Sequence, residues 1–118
     1  ETMYTTYLAS MFRSIRFGLN EAHGRGVAIQ LNYFLDHGGV TVAPDGTFGV
    51  APARIKQNVI DLTRDIMTME ATGAYVDAKQ MIEKMGVVRP PVQRVLDRLV
   101  GVPVDIEPRF VTAASLAR

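Results

Sequence analysis

The chain has 118 residues, 13 Lys+Arg against 12 Asp+Glu for a formal charge of +1 with neutral histidines, and no cysteine. That length holds one domain at most, and 47% hydrophobic with 21% charged residues supplies a core and excludes a disordered segment. The near-zero charge offers no field to draw in nucleic acid or anionic lipid, and the lack of thiols removes disulfides, thiolate nucleophiles and Cys-containing metal sites. No apolar run approaches the roughly 20 residues that span a bilayer, and the first residues lack a secretory signal. The expectation is a cytoplasmic protein with neither nucleic acid nor membrane as partner.

In chain order, Tyr4, Tyr7, Leu8, Met11, Phe12, Ile15 and Leu19 follow the i, i+3, i+4 rule and predict a first helix to about Leu19, with Gly18 and Asn20 at its end. Phe17 lies off the stripe. The pattern begins within a few residues of Glu1, as expected of an excised C-terminal portion of a larger protein. From Glu21 to Asp36 a second helix is apolar nearly all round: Val27, Ala28, Leu31, Phe34 and Leu35 make one face, Ile29 and Tyr33 the other. Gly24 and Gly26 each cost a helix interior roughly 1 kcal/mol relative to Ala, so this stretch is either the helix start or a place where another group approaches the backbone. His37-Gly38-Gly39 is a helix stop.

Val40-Thr41-Val42 and Thr47-Phe48-Gly49-Val50 flank Ala43-Pro44-Asp45-Gly46, the composition of a hairpin turn. Pro52 opens a long helix whose stripe is Ile55, Val59, Leu62, Ile66 and Met69, ending near Thr72-Gly73. A shorter helix runs from Tyr75 to Met85, and a third opens at Pro90-Pro91. The prediction is a mainly α fold of about five helices and one short β-hairpin. Residues 1–39 form two core helices, 40–50 the hairpin, 51–101 three helices, and 102–118 an extended tail.

Few residues could carry chemistry. His23 and His37 are fourteen residues apart, about 21 Å along one helix, too far to share a metal. His37 stands where an imidazole can bond the last helix carbonyls. His23 opens the most apolar helix between Glu21 and Arg25, and an imidazole oriented by polar neighbours suits a donor to a developing oxyanion. No zinc-binding His-Glu-x-x-His, no Gly-x-Ser-x-Gly elbow, no phosphate-cradling glycine loop and no Nudix signature is present. Arg13, Arg16, Arg25 and Lys56 are too scattered for a nucleic-acid footprint.

The run from Phe12 to Gln30, FRSIRFGLNEAHGRGVAIQ, carries a longer signal. Together with Asn32-Tyr33-Phe34-Leu35-Asp36, Gly73-Ala74-Tyr75-Val76-Asp77-Ala78-Lys79 and Val104-Asp105-Ile106-Glu107-Pro108, it resembles the C-terminal part of bacterial zinc metallopeptidases of the dipeptidyl peptidase III family, over roughly Met3 to Pro108. The resemblance implies a parent whose zinc is held by a His-Glu-x-x-Gly-His helix and a Glu-Glu-x-x-Ala-Asp helix, both expected before Glu1. It also implies an Ala-His pair, here Ala22-His23, whose histidine stabilises the substrate carbonyl. Two arginines that follow this histidine in better-known members align with Val27 and Asn32. Some bacterial relatives carry a Nudix hydrolase domain before the peptidase part.

The expected function is therefore that of a helical wall segment in a zinc-dependent peptidase, with His23 catalytic and Glu21 and Arg25 substrate-binding. No metal is expected in this fragment, which alone would be inactive; zinc is expected in the parent. The expected partners are a peptide substrate and the rest of the parent chain. The alternative is a helical interaction or scaffold domain of a Nudix-type protein, with Phe17, Ile29 and Tyr33 packing on a partner or forming a homodimer of the fragment.

Overall fold

The computed structural model describes residues 2–103. The expected tail lies outside them from Val104 on, and with it the Val104–Pro108 part of the resemblance. Five helices, α1 (Thr2–Ile15), α2 (Ala22–Asp36), α3 (Pro52–Thr72), α4 (Tyr75–Met85) and α5 (Pro90–Arg98), accompany one hairpin of β1 (Val40–Val42) and β2 (Phe48–Val50). The fold is thus mainly helical, as the periodicity predicts. Among the described residues no helix is long and apolar enough to cross a membrane.

The stripe on α1 buries Leu8, Met11, Phe12 and Ile15. The helix stops four residues before the predicted Leu19, for a local reason. Phe17 and Gly18 donate to Ser14 and Ile15 across i→i+3 spacings, which tightens the last turn, and Gly18 then takes φ +99°, where only glycine is at ease. Phe17 is left 56% exposed beneath the Arg13 guanidinium, 5.9 Å from its ring centre.

Helix α2 is the hub and touches α1, α3, α4 and β1. Val27, Ala28, Leu31, Asn32, Tyr33 and Phe34 are all buried. Burying a side chain such as Leu31 or Phe34 contributes about 1.5–3 kcal/mol. Asn32 is 1% exposed, and its amide donates to Met85 O at 2.7 Å and Val87 O at 2.8 Å. One polar side chain thereby ties the end of α4 to the centre of the hub.

The hairpin pairs Val40 with Val50 and Val42 with Phe48. Its turn closes as its residues dictate: Gly46 has φ +84° and donates to Ala43 O, and Asp45 accepts from the Thr47 amide at 2.9 Å. Phe48 meets Phe12 edge to face at 5.0 Å, which fastens the hairpin to α1.

Two arginines hold α5. Arg16 donates to Leu99 O at 2.9 Å and to Val102 O at 2.5 Å. Arg89 forks onto Asp36 at 2.5 and 3.0 Å, and this bond holds the Asp36 carboxyl below the usual carboxylate range. A depressed folded pKa stabilises above the unfolded value of about 3.9 and loses that contribution as pH falls through the folded pKa. The pair is partly exposed, so Asp36→Asn is expected to cost about 0.5–1 kcal/mol in urea denaturation at pH 7, with the difference from wild type vanishing under acid.

Candidate functional site

The start of α2 is built by the connection that precedes it. A Cβ on Gly24 would lie 2.1 Å from the Gly18 carbonyl oxygen, so the backbone of the connection rests directly on this turn. Of the two glycines that sequence reasoning flagged, Gly24 answers to close approach. Gly26 has no atom within 4 Å of a built Cβ.

Arg25 completes the elbow. Its Nε donates to Leu19 O at 3.2 Å, and its aliphatic stem lies 2.8 Å from where a Gly86 Cβ would stand. It thus joins the α1–α2 connection to the end of α4. Residues two apart on a helix point to different sides, so Arg25 does not share a face with His23.

His23 is exposed on the first turn of α2, and its imidazole has no hydrogen-bond partner among the described residues. Glu21 is the N-cap residue, with extended φ −82° and ψ 135° and no capping bond from its side chain. Its exposed carboxylate stands at the positive end of the helix dipole. The arrangement is an imidazole and a carboxylate offered to solvent from a helix end that Gly24 and Arg25 tie to the α1–α2 connection. An imidazole so placed can donate to a carbonyl oxygen.

Asn32, nine residues on, faces the opposite side of α2 from His23, and Val27, one turn on, lies beneath it on the same side. Both are buried, and the Asn32 amide is already committed to Met85 and Val87. These positions pack the hub, and neither offers a free polar group to the His23 side.

His37 occupies the far end of α2 in the capping role expected of it. Its ring stacks on Tyr33 at 4.0 Å, and Nδ1 lies 2.9 Å from Tyr33 O, an acceptor, so this nitrogen carries the proton. Tyr33 is itself buried and donates its hydroxyl to Asp65 at 3.3 Å; burial and the Asp65 charge push the phenol pKa up. Tyr33 therefore does not lie on an exposed patch with Phe17 and Ile29.

Sequence reasoning missed a groove of about 690 Å³ between α1 and α2 on one side and α3 and α4 on the other. Tyr7, Ile29, Phe34, Ile66, Met81 and Ile82 help to line it. The signal was present: the α3 stripe runs from Ile55 to Met69, yet only Ile55 and Leu62 of it are buried. Among the described residues no group of three or more His, Cys, Asp or Glu side chains could hold a metal ion.

Comparison with known proteins shows what the chain is similar to. No protein-family model matches the chain. It is 42% identical over 118 residues to "Nudix hydrolase 3" of Arabidopsis thaliana, covering 98% of this chain and 15% of that protein. Two solved structures share its fold. Dipeptidyl-peptidase III from Corallococcus sp. strain EGB is 58% identical with a TM-score of 0.87 over 98% of this chain and 21% of that one. DPP III from Caldithrix abyssi is 41% identical with a TM-score of 0.86 over 92% of this chain and 21% of that one. The chain therefore spans about a fifth of the length of the solved chains it matches. In sequence and in fold together, the chain is similar to a segment of these two dipeptidyl-peptidase III structures.

Proposed function

We propose that this chain is part of the catalytic lobe of a longer zinc-dependent peptidase of dipeptidyl-peptidase III type, where it supplies packing and offers His23 to a peptide carbonyl. The observation that carries the reading is 58% identity to a dipeptidyl-peptidase III at a TM-score of 0.87 over 98% of the chain. The donor set among the described residues does not fit zinc. Its ligands belong, on this reading, to the rest of the longer protein.

What this chain would do is orient and stabilise. The His23 imidazole donates to the scissile carbonyl oxygen as it gains negative charge, from a helix end whose dipole favours that charge. Glu21 accepts from a peptide N–H, and Arg25 acts as a positioning residue through Leu19 and Gly86. A donor aimed at a developing oxyanion is worth about 100-fold or more in turnover. In the longer protein, His23→Ala is expected to lower kcat by about that factor with zinc content and unfolding midpoint unchanged, and His23→Gln, which keeps an N–H donor, to recover part of it. Undiminished turnover in His23→Ala would remove His23 from the site.

The second reading, an interaction or scaffold domain of a multidomain Nudix-type protein, is favoured by the 42% identity to "Nudix hydrolase 3". It predicts that the longer protein hydrolyses no peptide whatever stands at position 23.

A further inference from the structure

The chain leaves an apolar face of α3 and α4 uncovered. Beyond Leu62, α3 buries no side chain, and α4 buries none along its length. The two helices form an arm whose inner face, with Tyr7, Ile29 and Phe34 opposite, makes the groove. Ile66 from α3 is 39% exposed and Ile82 from α4 43% exposed, although both line it. Such a surface marks a binding site or an unmade interface.

The polar groups in the groove say what its occupant must carry. Gln30 accepts from the Tyr7 hydroxyl and donates to Gly26 O, and the Thr63 hydroxyl donates to Val59 O. Both are satisfied within the chain. Glu70 is the charged residue in the lining, and among the described residues it has no ion-pair partner; no Lys or Arg lines the groove. A second copy docked groove to groove would bring a second Glu70 and no cation. An amphipathic helix with apolar anchors at i, i+3 or i+4, and i+7, and one basic side chain meets both requirements.

The comparison structure indicates where that helix comes from. The Corallococcus chain matches 98% of this one at a TM-score of 0.87, which takes in the α3–α4 arm, and this chain covers 21% of it. Roughly four-fifths of a chain that keeps this arm is thus available to cover it. We infer that the groove is an intramolecular dock, filled in the longer protein by a basic amphipathic helix from outside these 118 residues that pairs with Glu70. This rests on the reading of the chain as part of a longer dipeptidyl-peptidase III-type protein.

Thiol accessibility tests it, because the segment has no native cysteine. Ile66→Cys and Ile82→Cys, one on each wall, are compared with Gln80→Cys on the exposed side of α4. Each is made in the longer protein with its other cysteines replaced, and each is labelled with a maleimide. In dilute monomeric protein without added peptide, both wall thiols should react about tenfold or more slowly than Gln80→Cys, and all three alike in urea. A photo-crosslinker at Tyr75 should then capture a helix bearing Lys or Arg. Equal labelling of wall and control thiols overturns the proposal. Protection that appears only as concentration rises assigns the groove to a second copy, and protection only with peptide present assigns it to substrate; both overturn the intramolecular dock. A peptidase assay on the same samples separates the two readings, since exposed wall thiols in an active peptidase refute the dock alone.

Discussion

Asn32→Asp is expected to cost about 3–5 kcal/mol at neutral pH, the range for a buried charge left uncompensated. The substitution hardly changes shape but reverses the chemistry. The Asn32 amide donates to two carbonyl oxygens, Met85 O and Val87 O, at a position 1% exposed to solvent. A carboxylate there could only accept, and would face two acceptors without water. Burial and those carbonyls raise the folded pKa of the new acid above its unfolded value of about 3.9. A raised folded pKa means that stability is greatest below the unfolded pKa and is lost as pH rises through the folded one. The deficit should therefore shrink toward pH 4, where the protonated acid can donate to one carbonyl, as followed by urea denaturation across that range. Asn32→Leu, which orphans both carbonyls without adding charge, should cost about 2–4 kcal/mol with no such pH dependence. A deficit for Asn32→Asp that grows under acid would contradict the assignment of Asn32 as the tie between α2 and the end of α4.

The second large effect separates two glycines only two residues apart. Gly24→Ala forces a methyl group to within 2.1 Å of the Gly18 carbonyl oxygen, and that obstacle is backbone, not the movable end of a side chain. Overpacking of this kind costs about 1–3 kcal/mol and more where the obstacle is backbone, which for a domain of about 100 residues lowers the melting temperature by roughly 4–8 °C per kcal/mol. Gly26→Ala meets nothing within 4 Å and replaces glycine in a helix interior, so it should stabilise by about 0.5–1 kcal/mol. Thermal unfolding of both variants gives opposite signs on this account. Similar gains in both would mean that helix propensity, and not the contact with Gly18, decides the outcome. Because Gly24 adjoins His23, its substitution should also reduce turnover in the longer protein.

The contrast between these residues shows which parts of the fold were legible in the sequence. Features set by local chemistry were: Pro52 and Pro90 open α3 and α5, Gly73 with φ +64° follows α3, and the Pro44-Asp45-Gly46 turn closes the hairpin. The early end of α1 was not, because the apolar stripe continues to Leu19 while the backbone has already tightened at Phe17 and Gly18. Asn32 read as a polar interruption of an apolar helix; its value depends on two carbonyls more than fifty residues away in sequence. The groove was hidden for the same reason. Periodicity shows that Val59, Leu62, Ile66 and Met69 share a face, but whether a second element covers that face is a non-local fact. His23 stood out in the sequence by its neighbours. The structure leaves it exposed on the first turn of α2, with Arg25 turned away from it to brace the elbow.

The central claim is that these residues belong to a working peptidase of dipeptidyl-peptidase III type. Release of dipeptides from a chromogenic dipeptidyl substrate by the purified longer protein, with and without a zinc chelator, tests it most directly. The account predicts steady dipeptide release that the chelator abolishes and added zinc restores. No dipeptide release from folded, zinc-supplied protein would contradict it, and would leave the interaction or scaffold reading in its place.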